Sequence, residues 1–114
     1  MARVGFQFKI KEDAIEDYKT HHKGVWPEML DSLKKHGWNN YSLFLRDDGL
    51  LFGYFETPGT FQEALDGMNT EEVNSRWQSL MAPFFESADL VAPDQLIVKL
   101  EEVFHTDWGY RNHG

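Results

Sequence analysis

Three observations predict an α+β domain with the element order β-α-β-β-α-β. Residues 3–10 alternate between apolar and polar side chains. Two aromatic runs, 38–46 and 50–57, are separated only by Asp47, Asp48 and Gly49. Amphipathic segments with helix-starting and helix-stopping residues fill the intervals before and after that pair.

In RVGFQFKI (3–10), Val4, Phe6, Phe8 and Ile10 point one way and Arg3, Gly5, Gln7 and Lys9 the other, which is the period of a strand with one buried face. Asp13, with Glu16 three residues on, has the form of a capping box, so a helix is expected to start there. Pro27 lacks a backbone N–H and disfavours helical geometry at Trp26, which predicts a break near Gly24–Trp26 and a new turn from Pro27. That helix continues through MLDSLKKHG, with Gly37 as its stop. WNNYSLFLR (38–46) and LLFGYFET (50–57), joined by an Asp-Gly turn, read as a hairpin. Thr60 and Glu63 restart a helix, and a second capped segment is expected from Asn69 or Thr70 to about Phe85. Along it Val73, Trp77, Leu80, Met81 and Phe84 recur at helical spacing, and Pro83 should distort the last turn. SADLVAPDQ (87–95) reads as a loop, LIVKLEEVF (96–104) as the final strand and TDWGYRNHG as a loose tail. Residues 1–105 are thus expected to form one domain, with 106–114 a C-terminal tail.

The order is that of the ferredoxin-like, split-βαβ arrangement: a four-stranded antiparallel sheet with helices on one face. The other face needs cover, and Phe44 and Tyr54 are candidates to lie on it. Packing sheet against sheet between two copies, as a dimeric α/β barrel, is the simplest way to bury it, so a homodimer is expected.

The chain's 114 residues, 41% of them hydrophobic, suffice for one real core. No apolar run has the length of a membrane span, and MARVGFQFKI is not built like a signal peptide. The absence of cysteine excludes a disulfide scaffold, a thiol nucleophile and a thiolate metal site, and fits a cytoplasmic location. A formal net charge of −8 repels phosphate backbones and anionic lipid, so neither nucleic acid nor membrane is expected as a partner. Aromatic content is unusual at 15%, which serves either a small core of large side chains or a pocket that stacks on a ligand.

DAIEDYKTHHKGVWPEML (13–30) carries a histidine in its apolar stripe. Residues four apart share a helix face, offset by about 40°, so His22 follows Tyr18 in the centre of the stripe while His21 falls to its edge. A core histidine satisfied by one hydrogen bond accounts for this; so does a catalytic or ligand-contacting one. A metal ligand is the weakest reading, because adjacent histidines diverge and no HxxxH or HxxE-type pair completes a site. Tyr41 and Trp77 are each explained singly by core packing. Together, Tyr18 and His22 on one helix, Tyr41 on a strand and Trp77–Gln78 on the second helix could converge on one cavity offering an imidazole, two phenols, an amide and an indole. With no catalytic triad, paired carboxylates or phosphate loop, such a cavity suits a neutral polyhydroxylated molecule, whose C–H face meets the aromatic ring.

The chain resembles the L-rhamnose mutarotases. The features that carry the resemblance are the N-terminal strand, Y-x-x-x-H-x-x-x-W-P-E (Tyr18, His22, Trp26, Pro27, Glu28), N-Y-S-L-F-L (40–45), L-L-F-G-Y (50–54), R-W (76–77) and E-E-V-F-H (101–105), in the family's order over residues 3 to 105. The resemblance implies a dimeric ferredoxin-like domain that works without cofactor or metal and interconverts the α and β anomers of L-rhamnose or a related 6-deoxy sugar. By matching position it implies His22 as proton donor, Tyr18 and Tyr41 as sugar contacts and Trp77 as a wall of the site. Gln78, also expected to contact the sugar, stands where the family often has a second tryptophan. SADLVAPDQ stands where many members have N-P-D-N-S-P. Mutarotation needs a proton given to the ring oxygen and one taken from the anomeric hydroxyl, and a histidine of ordinary pKa, about 6.5, can do both near neutrality. Two rival readings share the architecture. One is a cofactor-free monooxygenase-type enzyme or its haem-degrading relatives, and the other is a non-enzymatic sugar-binding module.

Overall fold

Four strands form one antiparallel sheet in the order β2-β3-β1-β4: β1 (Ala2–Lys9), β2 (Asn39–Leu45), β3 (Leu50–Thr57) and β4 (Val98–Leu100). The structure, a computed structural model, describes residues 1–85 and 97–107. Helices α1 (Ile15–His22) and α2 (Pro27–Lys35) connect β1 to β2, and α3 (Phe61–Asn69) and α4 (Glu72–Met81) follow β3. This is the α+β, ferredoxin-like order that the sequence predicts. The loop expected at 87–95 and the tail beyond residue 107 lie outside the described residues.

The alternation in β1 divides the sheet's faces. Val4, Phe6, Phe8 and Ile10 are buried under the helices, with Leu51 and Phe55 of β3 beside them. Phe6 is fully buried, and the rings of Phe8, Trp38, Tyr41, Phe55 and Phe61 surround it at centroid separations of 5.8 to 6.3 Å. Gly53 makes room for this ring: a Cβ there would overlap Phe6. The indole N–H of Trp38 donates to the Ala64 carbonyl at 3.1 Å, tying α3 to the sheet. On the opposite face Phe44 is 61% exposed, Phe52 40% and Val98 53%, with Tyr54 beside them. Among the described residues, these side chains form an exposed apolar face.

Pro27 stands at the first turn of α2, and α1 ends at His22, so the expected break falls where the proline dictates. Thr60 caps α3 by accepting the Glu63 N–H at 3.1 Å. Three local readings differ. The start of α1 is not capped by Asp13; a 3-10 turn, Glu12–Ala14, precedes the helix, and the chain is anchored there by backbone bonds, Lys11 N–H to Phe84 O and Ala14 N–H to Lys11 O. Thr70 closes α3, its hydroxyl donating to Gly67 O at 2.7 Å, and α4 begins after Glu71 without a side-chain cap. The last strand pairs only over Val98–Leu100, and Arg3 grips Glu102 beyond it at 2.8 Å. Pro83 turns the end of α4 into a 3-10 turn, Ala82–Phe84.

One feature of β2 matters for the site. Between the pairs Asn39–Glu56 and Ser42–Tyr54 the strand has one residue more than its partner, and Asn40 takes a left-handed φ of 51°. This bulge stands directly before Tyr41, whose ring faces inward against Trp38 at 5.2 Å.

Candidate active site

Between the inner face of the sheet and the helical layer lies a cavity of about 310 Å³. That is at the lower end of the range for small-molecule sites, roughly 300–1,000 Å³. All five residues singled out in the sequence line it: Tyr18 and His22 from α1, Tyr41 from β2, and Trp77 and Gln78 from α4. Met29 and Leu33 of α2 and Leu65 and Met68 of α3 supply an apolar wall. None of the described lining residues carries a carboxylate, an ammonium or a guanidinium.

His22 is fixed through its own helix. Its Nδ1 lies 2.9 Å from the carbonyl oxygen of Tyr18, one turn earlier. A carbonyl only accepts, so Nδ1 carries the proton and Nε2 holds the lone pair in the neutral ring. Nε2 has no hydrogen-bond partner among the described residues. The imidazole stacks on the Tyr18 ring, centroids 4.1 Å apart at 25°, and meets the Trp77 ring edge-on at 5.3 Å. Burial lowers the pKa of His22; the bond to Tyr18 O opposes this in part, and the neighbouring His21 adds to it. The resting imidazole is therefore neutral at pH 7. Burial raises the pKa of Tyr18, with a further contribution from Tyr41, and burial does the same for Tyr41. Both phenols keep their protons and can donate hydrogen bonds.

Trp77 is buried and held from behind. Trp26, the residue before Pro27, meets it edge-on at 5.1 Å, and Arg76 lies 5.8 Å from the Trp26 ring centroid while its Nη2 donates to Glu28 at 3.3 Å. The Trp26-Pro27-Glu28 and Arg76-Trp77 stretches are thus parts of one contact between α2 and α4.

His21 sits apart from this set. Its Nδ1 bonds Asp17 O at 2.8 Å and its ring lies against Phe84 at 5.4 Å; it does not line the cavity. Sequence reasoning missed Asn69 and Asn74, which do. Asn74 stands four residues before Gln78 and seven before Met81, a polar residue in an apolar helical stripe. That is the signal that drew attention to His22.

The L-rhamnose mutarotase family model matches residues 3–106, nearly the whole described chain. The chain belongs to the L-rhamnose mutarotase family. Among curated members of that family, the L-rhamnose mutarotase of Oceanobacillus iheyensis is 36% identical over 108 residues, covering 94% of this chain and 100% of the relative. That of Bacillus subtilis is 37% identical over 99 residues, covering 86% and 91% respectively. The crystal structure of an L-rhamnose mutarotase from Formosa agariphila superposes with a TM-score of 0.75 at 28% identity, covering 92% of this chain and 98% of that one. The fold that frames the cavity is thus shared with that crystal structure over nearly its whole length.

Proposed function

We propose that this chain interconverts the α and β anomers of L-rhamnose, with His22 moving the proton. The observation that carries the reading is a neutral imidazole whose tautomer is fixed by Tyr18 O and whose Nε2 has no partner among the described residues, on the wall of a cavity whose described lining residues carry no formal charge. Such a cavity excludes anions and cations by desolvation and admits a neutral polyol. His22 Nε2 takes the proton of the anomeric hydroxyl as the C1–O5 bond breaks, and the imidazolium so formed gives a proton to O5. The open-chain aldehyde turns about C1–C2, and the same steps in reverse close the ring from the other face of the carbonyl. No proton is consumed overall. Tyr18, Tyr41 and Gln78 bind hydroxyl groups, and Trp77 covers an apolar face of the sugar.

The same reading includes a homodimer formed through the open sheet face, where Phe44, Phe52 and Val98 are exposed. It also includes a cytoplasmic location, supported by the lack of cysteine. Among the described residues, no helix is long and apolar enough to cross a membrane.

Exchange NMR on the anomeric protons of L-rhamnose, with L-fucose and D-glucose as controls, tests the activity. Faster exchange for rhamnose alone is the expected result. No acceleration for any sugar would reject the enzymatic reading in favour of a binding module.

A further inference from the structure

Among the described residues, three polar side chains are buried, Ser32, Thr57 and Asn74, and of these only Asn74 lines the cavity. It is 6% exposed and sits on the stripe of α4 that otherwise presents Trp77 and Met81. Buried amides are hydrogen-bonded as a rule, because leaving one unpaired forfeits its hydration. Asn74 has one such bond: its Oδ1 accepts from Nε2 of Gln78 at 3.2 Å. Its Nδ2 has no partner among the described residues and is not sealed off, since no enclosed side-chain nitrogen or oxygen lacks a hydrogen bond. The free N–H groups therefore keep some accessibility, and the cavity that Asn74 lines is where they can meet a ligand. If both amides are turned over, the bond simply reverses, and the pair still presents one NH₂ and one C=O to a ligand.

Position along α4 says which part of a sugar meets this pair. His22 touches Trp77, and Asn74 lies three residues before Trp77, about 4.5 Å along the helix axis. With His22 working at C1 and O5, the ring edge opposite is C3–C4. Building on the mutarotase reading, we propose that Asn74, oriented by Gln78, is a specificity-determining residue that binds a hydroxyl on C3 or C4 of the sugar.

The test compares KM and kcat for L-rhamnose and its 2-deoxy, 3-deoxy and 4-deoxy analogues in wild type, Asn74→Leu and Gln78→Leu. Wild type should show a raised KM for the 3-deoxy or 4-deoxy analogue. Asn74→Leu should raise KM for rhamnose about tenfold with kcat nearly unchanged, and should abolish that analogue's penalty while leaving the ratio of KM for the 2-deoxy sugar to KM for rhamnose as in wild type. Gln78→Leu, which leaves Asn74 in place and alters a partly exposed position, should shrink the same penalty in part, so a misfolded Asn74→Leu does not end the test. Wild-type penalties retained in the folded variants would overturn the proposal and leave Asn74 a purely structural amide. A wild type that accelerates no exchange would instead overturn the mutarotase reading. The role of Asn74 would then be decided by the dissociation constants of the same four sugars, read from tryptophan fluorescence.

Discussion

His22 donates its Nδ1 proton to the carbonyl of Tyr18 at 2.9 Å, and the two rings lie nearly parallel, 4.1 Å apart. One helical turn thus sets both the tautomer and the tilt of the imidazole. Because the acceptor is main chain, no side-chain substitution at Tyr18 removes it, and the effects of the two residues can be separated. His22→Gln should lower the rate of rhamnose anomer exchange by about 10²–10⁴-fold, the usual range for loss of a positioned acid–base group. Tyr18→Phe keeps the stacked ring and the carbonyl and should act mainly on sugar affinity. Exchange NMR at several rhamnose concentrations distinguishes the two patterns. Equal activity in wild type and His22→Gln would end the acid–base assignment.

Burial lowers the pKa of His22 in the folded chain below its ordinary value of about 6.5. The base form is then present at neutral pH, and kcat/KM for rhamnose should be flat around pH 7 and fall only on acidification below that ordinary value. Stability shifts the same way. Between the folded and unfolded pKa values the unfolded chain binds more protons, so stability contributed by this site falls as pH drops through that window. In urea titrations between pH 7 and 5, His22→Gln should lose less stability than wild type. A steeper loss in the variant would contradict the assigned direction.

Gly53 lies beneath the fully buried Phe6 ring, and a Cβ there overlaps it. Gly53→Ala should destabilise the fold by about 1–3 kcal/mol, the range for overpacking a well-filled core. Thermal and urea unfolding would measure it. A shift within error of zero would mean that the Phe6 ring moves freely, contrary to the aromatic shell around it.

Phe44 is 61% exposed on the open sheet face, beside Phe52 at a ring separation of 6.3 Å. Phe44→Glu should convert a dimer into a monomer in sedimentation velocity while leaving the far-ultraviolet circular dichroism of the chain unchanged. A monomeric wild type, or a variant that remains dimeric, would remove this face as the interface.

Much of this protein was legible in its sequence because the informative contacts are local. Alternation in β1, the Asp-Gly turn, Pro27 and the Thr60–Glu63 cap act over a few residues, and the elements they predict stand where expected. The pairing of Tyr18 with His22 on one face is likewise a consequence of helix periodicity. Where reading failed, the deciding partner was local in one case, Thr70 turning its hydroxyl to Gly67 O instead of capping α4, and distant in another. The backbone of Phe84, not the Asp13 side chain, ties down the approach to α1. The register shift before Tyr41 and the three-residue extent of the β4 pairing involve residues far apart in the chain and carry no mark in their own neighbours. Asn74 could have been found, since it breaks an apolar stripe as His22 does.

The sequence by itself determined the elements, their order and which face of each is apolar, since periodicity and turn chemistry are properties of neighbouring residues. Only the tertiary structure decided that α1, β2 and α4 bring their polar residues to one cavity and that the described side chains around it leave a volume of about 310 Å³. The packing of side chains remote in sequence sets that volume, and no local pattern encodes it.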